Sequence, residues 1–302
     1  MIRLLGRLEA PLGALVALIV ATPLAMGADV AAQNRTFRSR VEAVRIDALV
    51  TNGGQPVLGL QAGDFDITDN GASQTADLVT FEEIPLNVVL ALDMSGSLAG
   101  ARVAELRKAG HAVVDALRPR DKAALVTFSR AVTVAAPLAE DATGVRVALD
   151  QPQHAGNTSL VDASYAAIVM AESDTARGLV IVFSDGQDTG SFLLADNVLA
   201  TAKRADTVVY AVLEPPSIEP LRGGSVPKFL GDLCDFTGGR VLKSGAANLD
   251  STFLTIFNEF RQRYLISYTP RGVSANGWHR LEVKVKGKRG TVKARPGYLA
   301  GA

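Results

Sequence analysis

Between Leu86 and about Ser244 the sequence sets short, uninterrupted apolar runs against longer amphipathic stretches, and this alternation limits the fold more than any other feature. The runs are Val88–Leu92, Ala123–Phe128, Leu179–Phe183 and Val208–Val212. Successive residues of a strand point to opposite sheet faces, so a run that is apolar at every position needs cover on both faces. Between the runs, Val103, Leu106, Val113, Val114 and Leu117 share one face of a helix over 101–117. Further helices fit 160–172 and 195–205. The βαβ rhythm predicts an α/β fold with a doubly wound, mainly parallel, Rossmann-like sheet. Val132-Thr133-Val134, close behind the second run, fits a short antiparallel edge strand.

The flanks read differently. From 36 to 84 the pattern is β: Val44–Val50 alternates up to an Asn52-Gly53-Gly54 turn, Phe65–Thr68 runs into Asp69-Asn70-Gly71, and Ala76–Phe81 follows. After a helix over 249–263 the chain returns to β at Tyr264–Tyr268, Arg280–Val285 and Thr291–Ala294. Three strands are marginal as a sheet on their own. The expectation is therefore a β-sandwich formed from both flanks, with segments 36–84, 86–245 for the α/β domain, and 246–302 for the linking helix and second β half. The basic cluster Lys284, Lys286, Lys288 and Arg289 reads as the wet face and turn of a terminal hairpin.

Residues 1–32 have the signature of a cleaved secretory signal. Arg3 and Arg7 precede a charge-free stretch from Ala10 to Ala28, and small residues follow at Ala25-Met26-Gly27-Ala28 and Val30-Ala31-Ala32. A retained membrane anchor is the alternative, and only then would the chain meet a bilayer. Either way the remainder is expected outside the cytoplasm, secreted or periplasmic. Of the 302 residues, 48% are hydrophobic and 21% charged, which suits a packed protein. Lys plus Arg and Asp plus Glu number 31 each, so no net field draws the chain to nucleic acid. Cys234, the sole cysteine, forms no internal disulfide and reads as a small buried hydrophobe. No phosphate loop, dinucleotide fingerprint or Gly-x-Ser-x-Gly elbow occurs, so neither a small-molecule cofactor nor an enzyme is expected.

Open α/β sheets place ligands at the carboxyl ends of their strands. There the sequence supplies Asp93-Met94-Ser95-Gly96-Ser97, Gly156-Asn157-Thr158-Ser159 and Ser184-Asp185-Gly186-Gln187-Asp188. Two carboxylates and three hydroxyls make an all-oxygen donor set, which suits a hard cation, Mg²⁺ before Ca²⁺, with Mn²⁺ as a substitute. Neutral hydroxyls leave the metal electrophilic toward an outside carboxylate. Asp162 and Asp188 flank two of these loops: Asp162 is expected to bond within its own helix start or to support the site from behind, and Asp188 to be a solvated loop residue or to orient the Asp185 loop. His154 stands at the rim. His111 reads as a surface histidine.

In order and spacing, Asp93-x-Ser95-x-Ser97, Thr158 and Asp185 resemble the metal-ion-dependent adhesion site of the von Willebrand factor A family. The resemblance covers roughly Leu86 to Ser244, and the flanks are similar to secreted bacterial members with β segments on either side. Asn157 departs from the glycine frequent at its position. The resemblance implies that Ser95, Ser97 and Thr158 approach the metal directly, with Asp93 and Asp185 direct or through water. It also implies a protein ligand, or a carboxylated glycan, completing the coordination in an adhesion or protein–protein interaction role. Two other classes stay open: an envelope scaffold stabilised by its metal, and a metal-dependent hydrolase using the same loops.

Overall fold

The computed structural model describes residues 43–81, 84–95, 101–151, 156–214, 227–287 and 290–301. The expected signal at 1–32, Ser97 and His154 lie outside them. The chain opens with strands β1 (Val44–Asn52), β2 (Gln55–Pro56), β3 (Phe65–Asp69), β4 (Ala72–Gln74) and β5 (Leu78–Phe81). The central part runs β6 (Leu86–Asp93), α1 (Ala101–Asp115), β7 (Lys122–Phe128), β8 (Val132–Ala139), α2 (Thr143–Asp150) and α3 (Leu160–Ala171). It continues through β9 (Arg177–Ser184), α4 (Ala195–Arg204), β10 (Val208–Leu213), α5 (Lys228–Thr237) and β11 (Val241–Lys243). Helix α6 (Leu249–Arg261) leads to β12 (Tyr264–Tyr268), β13 (Gly277–Val285), β14 (Thr291–Lys293) and β15 (Gly297–Ala300).

Six strands form the central sheet in the order β11-β10-β9-β6-β7-β8. All pair in parallel except β8, which returns antiparallel along β7 at the edge. The unbroken apolar runs now have their reason. Val88, Leu90 and Leu92 of β6 pack on one face with Leu106, Val113, Phe253 and Phe257 from α1 and α6. Val89 and Ala91 pack on the other with Ile168, Val198 and Leu233 from α3, α4 and α5. Helices α2 and α5 were not expected from the sequence. The signal for α5 is present, since Leu230, Leu233, Cys234 and Thr237 are its buried positions, spaced as one helical face. Burial pushes the Cys234 thiol up to about 12, so it is an inert packing group. Gly238 ends α5 at φ +79°, where a Cβ would meet the Arg295 amide at 2.6 Å.

Strands from the two ends of the chain are interleaved. β1 pairs with β12 along Val44–Ala48 and with β14 along Leu49–Thr51, and β5 pairs with β12. A second sheet has the order β15-β13-β3-β4. Their shared core includes Ile46, Val50, Phe65, Ile67, Ile266, Tyr268 and Leu281. The terminal hairpin expected around the Lys284 cluster is not formed. β13 takes β3 and β15 as neighbours, whereas β14 crosses to β1 in the opposite sheet. The long β1 supplies the reason, because β12 pairs with only its first half and β14 supplies a partner for the rest.

The amino edge of the central sheet rests on this β part through buried ion pairs. Arg177, at the start of β9, donates from Nε to Asp47 of β1 at 2.7 Å, and its guanidinium lies over Phe260. Arg261 at the end of α6 pairs with Asp121, whose other oxygen accepts the Leu86 amide at 2.9 Å. Arg263 is fully buried and donates to the Asp47 carbonyl, the Gly238 carbonyl and the Tyr210 hydroxyl. The carboxyl edge is thereby left on the far side of the sheet, away from the β part. Among the described residues, no helix is long and apolar enough to cross a membrane.

Candidate metal centre

Asp93 closes β6 and is fully buried. One carboxylate oxygen accepts the Ser95 amide at 2.9 Å, and the other accepts the Ser184 hydroxyl at 2.7 Å. Burial pushes the Asp93 carboxyl above the usual carboxylate range. Hydrogen bonds from Ser184 and Ser95 pull the other way, and the Asp185 charge adds to the rise. Asp185, half-buried, leaves β9 into a turn held by its own side chain, which accepts the Gln187 amide at 3.0 Å. Gly186 sits there at φ +87°, and a Cβ would fall 2.3 Å from Pro227. Only glycine fits that turn without displacing the start of α5.

The Thr158 loop is fastened on both sides. Its amide donates to the Thr189 hydroxyl at 2.9 Å, and its carbonyl accepts the Thr189 and Gly190 amides at 2.9 and 3.0 Å. The Ser159 amide donates to the Ser129 carbonyl at the end of β7, next to where the Met94 amide donates to Phe128. A closed circuit results. It runs from Asp93 through Ser184 to the Asp185–Gly190 loop, across to Thr158, over the end of β7, and back to Met94. Asp93, Ser95, Thr158 and Asp185 therefore lie around one carboxyl edge. Ser97 and His154 lie outside the described residues.

One expectation is corrected and one extended. Asp188 is an exposed loop residue, and it also ties its loop to α3. It accepts the Leu160 and Val161 amides at 2.8 and 3.3 Å and the Ser191 hydroxyl at 2.6 Å. It thus caps α3 from a different loop, a role open to it because Ser159 makes no capping bond of its own. Asp162 does not bond within its own helix start. Its oxygens accept the Phe192 and Leu193 amides at 2.9 and 2.8 Å, while the Ser191 hydroxyl accepts the Val161 and Asp162 amides. Both acids brace the loops around the site. His111 bonds Asp150 between α1 and α2, well removed from this edge in the fold.

The residues missed by sequence reasoning are the braces: Ser184, Thr189, Ser191, Glu214 and Arg102. Serines and threonines are too common in loops to be singled out, and only the fold shows which of them face a neighbouring loop. Glu214 ends the β10 segment, is buried, and pairs with Nε of Arg102 at 2.9 Å. Burial raises its pKa, Arg102 opposes the rise, and the Asp185 charge adds to it. Among the described residues no three His, Cys, Asp or Glu side chains cluster as a metal site, so any cation here relies on hydroxyl donors beside Asp93 and Asp185.

The sequence profile of the von Willebrand factor type A domain matches residues 87–213. This stretch is a von Willebrand factor type A domain. It is 30% identical over 119 residues to the human inter-alpha-trypsin inhibitor heavy chain H4, but the match spans only 13% of that protein's length. The von Willebrand factor type A structure from Catenulispora acidiphila superposes with a TM-score of 0.50 at 15% identity, covering 78% of this chain and 72% of that one. Proximal thread matrix protein 1 of the mussel byssus also reaches 0.50, at 14% identity, with 61% of this chain and 49% of that one covered. Both likenesses show the fold, a mainly parallel A-type sheet, here flanked by antiparallel sheets. A-type domains serve mostly in non-enzymatic protein–protein interaction and adhesion, and those with a complete adhesion site bind divalent metal ions.

Proposed function

We propose that this chain is an exported binding module whose A-type domain holds a Mg²⁺ at the carboxyl edge of the sheet. Ser95, Ser97 and Thr158 would offer hydroxyls to the ion, with Asp93 and Asp185 beside them. Mn²⁺ would substitute. The bound ion supplies an electrophilic position for an oxygen of an acidic side chain on a protein ligand, or of a carboxylated glycan.

One observation supports this reading above the rest. Asp93 is a fully buried carboxylate whose neighbours are two serines and a second carboxylate, and among the described residues no cationic side chain pairs with it. Burying a charge without a counter-charge is costly, and a divalent cation provides what the protein withholds. The oxygen-only donors fit a hard ion. A binding role is favoured over hydrolysis because among the described residues no imidazole lies at this edge, His111 being on α1 and His279 inside the β part.

Calorimetric titration of Mg²⁺ and Mn²⁺ into the mature chain tests the proposal, alongside Ser95→Ala and Asp185→Ala. One saturable site is expected in the parent chain and none in either variant. Equal binding by parent and variants would overturn the assignment.

A further inference from the structure

An unusual apolar surface lies next to the same loops. Phe192 is 94% exposed and Leu194 69%, with Leu193 between them at 38%. A single exposed leucine needs no account, but three large apolar residues in a row, facing water, mark an interaction site. The segment is firmly held. Asp162 accepts the amides of Phe192 and Leu193, and Ser191, the residue before them, accepts two amides of α3. The backbone is fixed to the helix and the side chains are held out from it.

Tyr165 and Val169, both exposed, follow Asp162 by three and seven positions on α3. They share its helix face and carry the apolar surface along it. In the other direction the surface runs into the proposed metal site, because Thr189 of the same loop is bonded to Thr158. Charge narrows the choice of occupant. No Lys or Arg occurs between Arg177 and Lys203, whereas Asp185, Asp188 and Asp196 lie within that stretch. Anionic lipid headgroups are repelled by such a rim. Within this stretch itself, the counter-charge for an incoming carboxylate is the proposed metal.

We propose that this surface is the second half of the ligand site, which deepens the metal reading and rests on it. The ligand is a protein segment carrying an acidic residue flanked by large apolar side chains. Its carboxylate goes to the metal, and its apolar neighbours cover Phe192, Leu194 and Tyr165. Pairing the two contacts gives specificity that neither has alone, since carboxylates are abundant on protein surfaces and a weak metal contact does not discriminate among them.

The test uses two capped pentapeptides, Leu-Leu-Glu-Leu-Leu and Ser-Ser-Glu-Ser-Ser, titrated into the mature chain in saturating Mg²⁺. The leucine peptide is expected to bind at least about tenfold more tightly, equivalent to about 1.4 kcal/mol. In a Phe192→Ser, Leu194→Ser double variant that preference should fall to about one, with Mg²⁺ affinity unchanged. Equal binding of both peptides to the parent chain, still dependent on Mg²⁺, would remove the apolar half and leave the metal reading intact. Peptide binding indifferent to Mg²⁺, or no Mg²⁺ binding, would remove the metal reading itself. Binding to phosphatidylcholine vesicles, or self-association, that is lost in the double variant would assign the surface to a bilayer or a second copy and overturn the proposal.

Discussion

At the amino edge of the central sheet Asp47 meets Arg177 and Asp121 meets Arg261, while at the carboxyl edge, among the described residues, Asp93 bonds to Ser184 and Ser95 and meets no guanidinium. All three acids are buried to a similar degree. The first two sit where the sheet is joined to the β part, and each is matched by a guanidinium whose plane also covers an aromatic ring, Phe260 or Phe257. The third sits where loops gather, and its environment is acidic. Buried carboxylates of a purely structural kind are neutralised from within the chain. One without a cationic partner among the described residues, yet wrapped in hydroxyl and amide donors, fits the proposed reading of an edge that takes its counter-charge from a bound ion. Glu214 sharpens the point, because the same edge could supply an arginine and does so for Glu214 rather than for Asp93.

Stability measurements can break or sharpen that contrast. The largest effect is expected from Arg177→Met, which strands Asp47 in the interior. Denaturant unfolding should show a loss of about 3–5 kcal/mol, as for other broken buried pairs. The folded fraction should keep its Mg²⁺ affinity, and a loss below 1 kcal/mol would mean that Asp47 is not effectively buried in solution.

A smaller effect is expected from Asp188→Ala, which removes the cap on α3. The cost should be about 1 kcal/mol in the same assay, with Mg²⁺ binding weakened because the Thr158 loop loses its brace. Unchanged affinity would separate the loop scaffold from the metal site.

The smallest effect on stability, and one of opposite sign, is expected from Asp93→Asn. Burial holds the folded Asp93 carboxyl above its ordinary value of 3.8. Its contribution to folding is therefore fully present below that value and is lost as pH rises through the raised one. At pH 7 without metal, the ionised group works against the folded state. The asparagine variant should melt slightly higher than the parent in chelator at pH 7, with the gap closing toward pH 4, and it should gain nothing from Mg²⁺. A variant that melts lower at pH 7 in chelator would show that Asp93 is neutralised from within, like Asp47.

Much of this was legible in the sequence. The apolar runs announce a sheet covered on both sides, and the three oxygen-rich loops announce the edge where side chains gather. Each depends on local spacing, which a linear text preserves. What escaped depends on contacts between distant residues. Helix α2 is short and α5 follows a stretch rich in proline and glycine, so their faces were easy to pass over. Asp188 caps a helix that begins 28 positions earlier, and the serine and threonine braces become distinctive only once two loops are adjacent. The hairpin expected near Lys284 failed for a related reason. Strand pattern identifies a strand but not its partner, and β14 is claimed by β1 from the opposite end of the chain.

That pairing has a consequence for the order of events as the polypeptide is made. β1 precedes the A-type sheet in the chain, yet its neighbours β12 and β14 follow it. Every strand of the A-type sheet is made before β12 and β14, so that sheet can close while β1 still has unsatisfied edges. The earlier segment of this β part is the one that waits longest for a partner, and the strands that release it from waiting come only from beyond the A-type sheet.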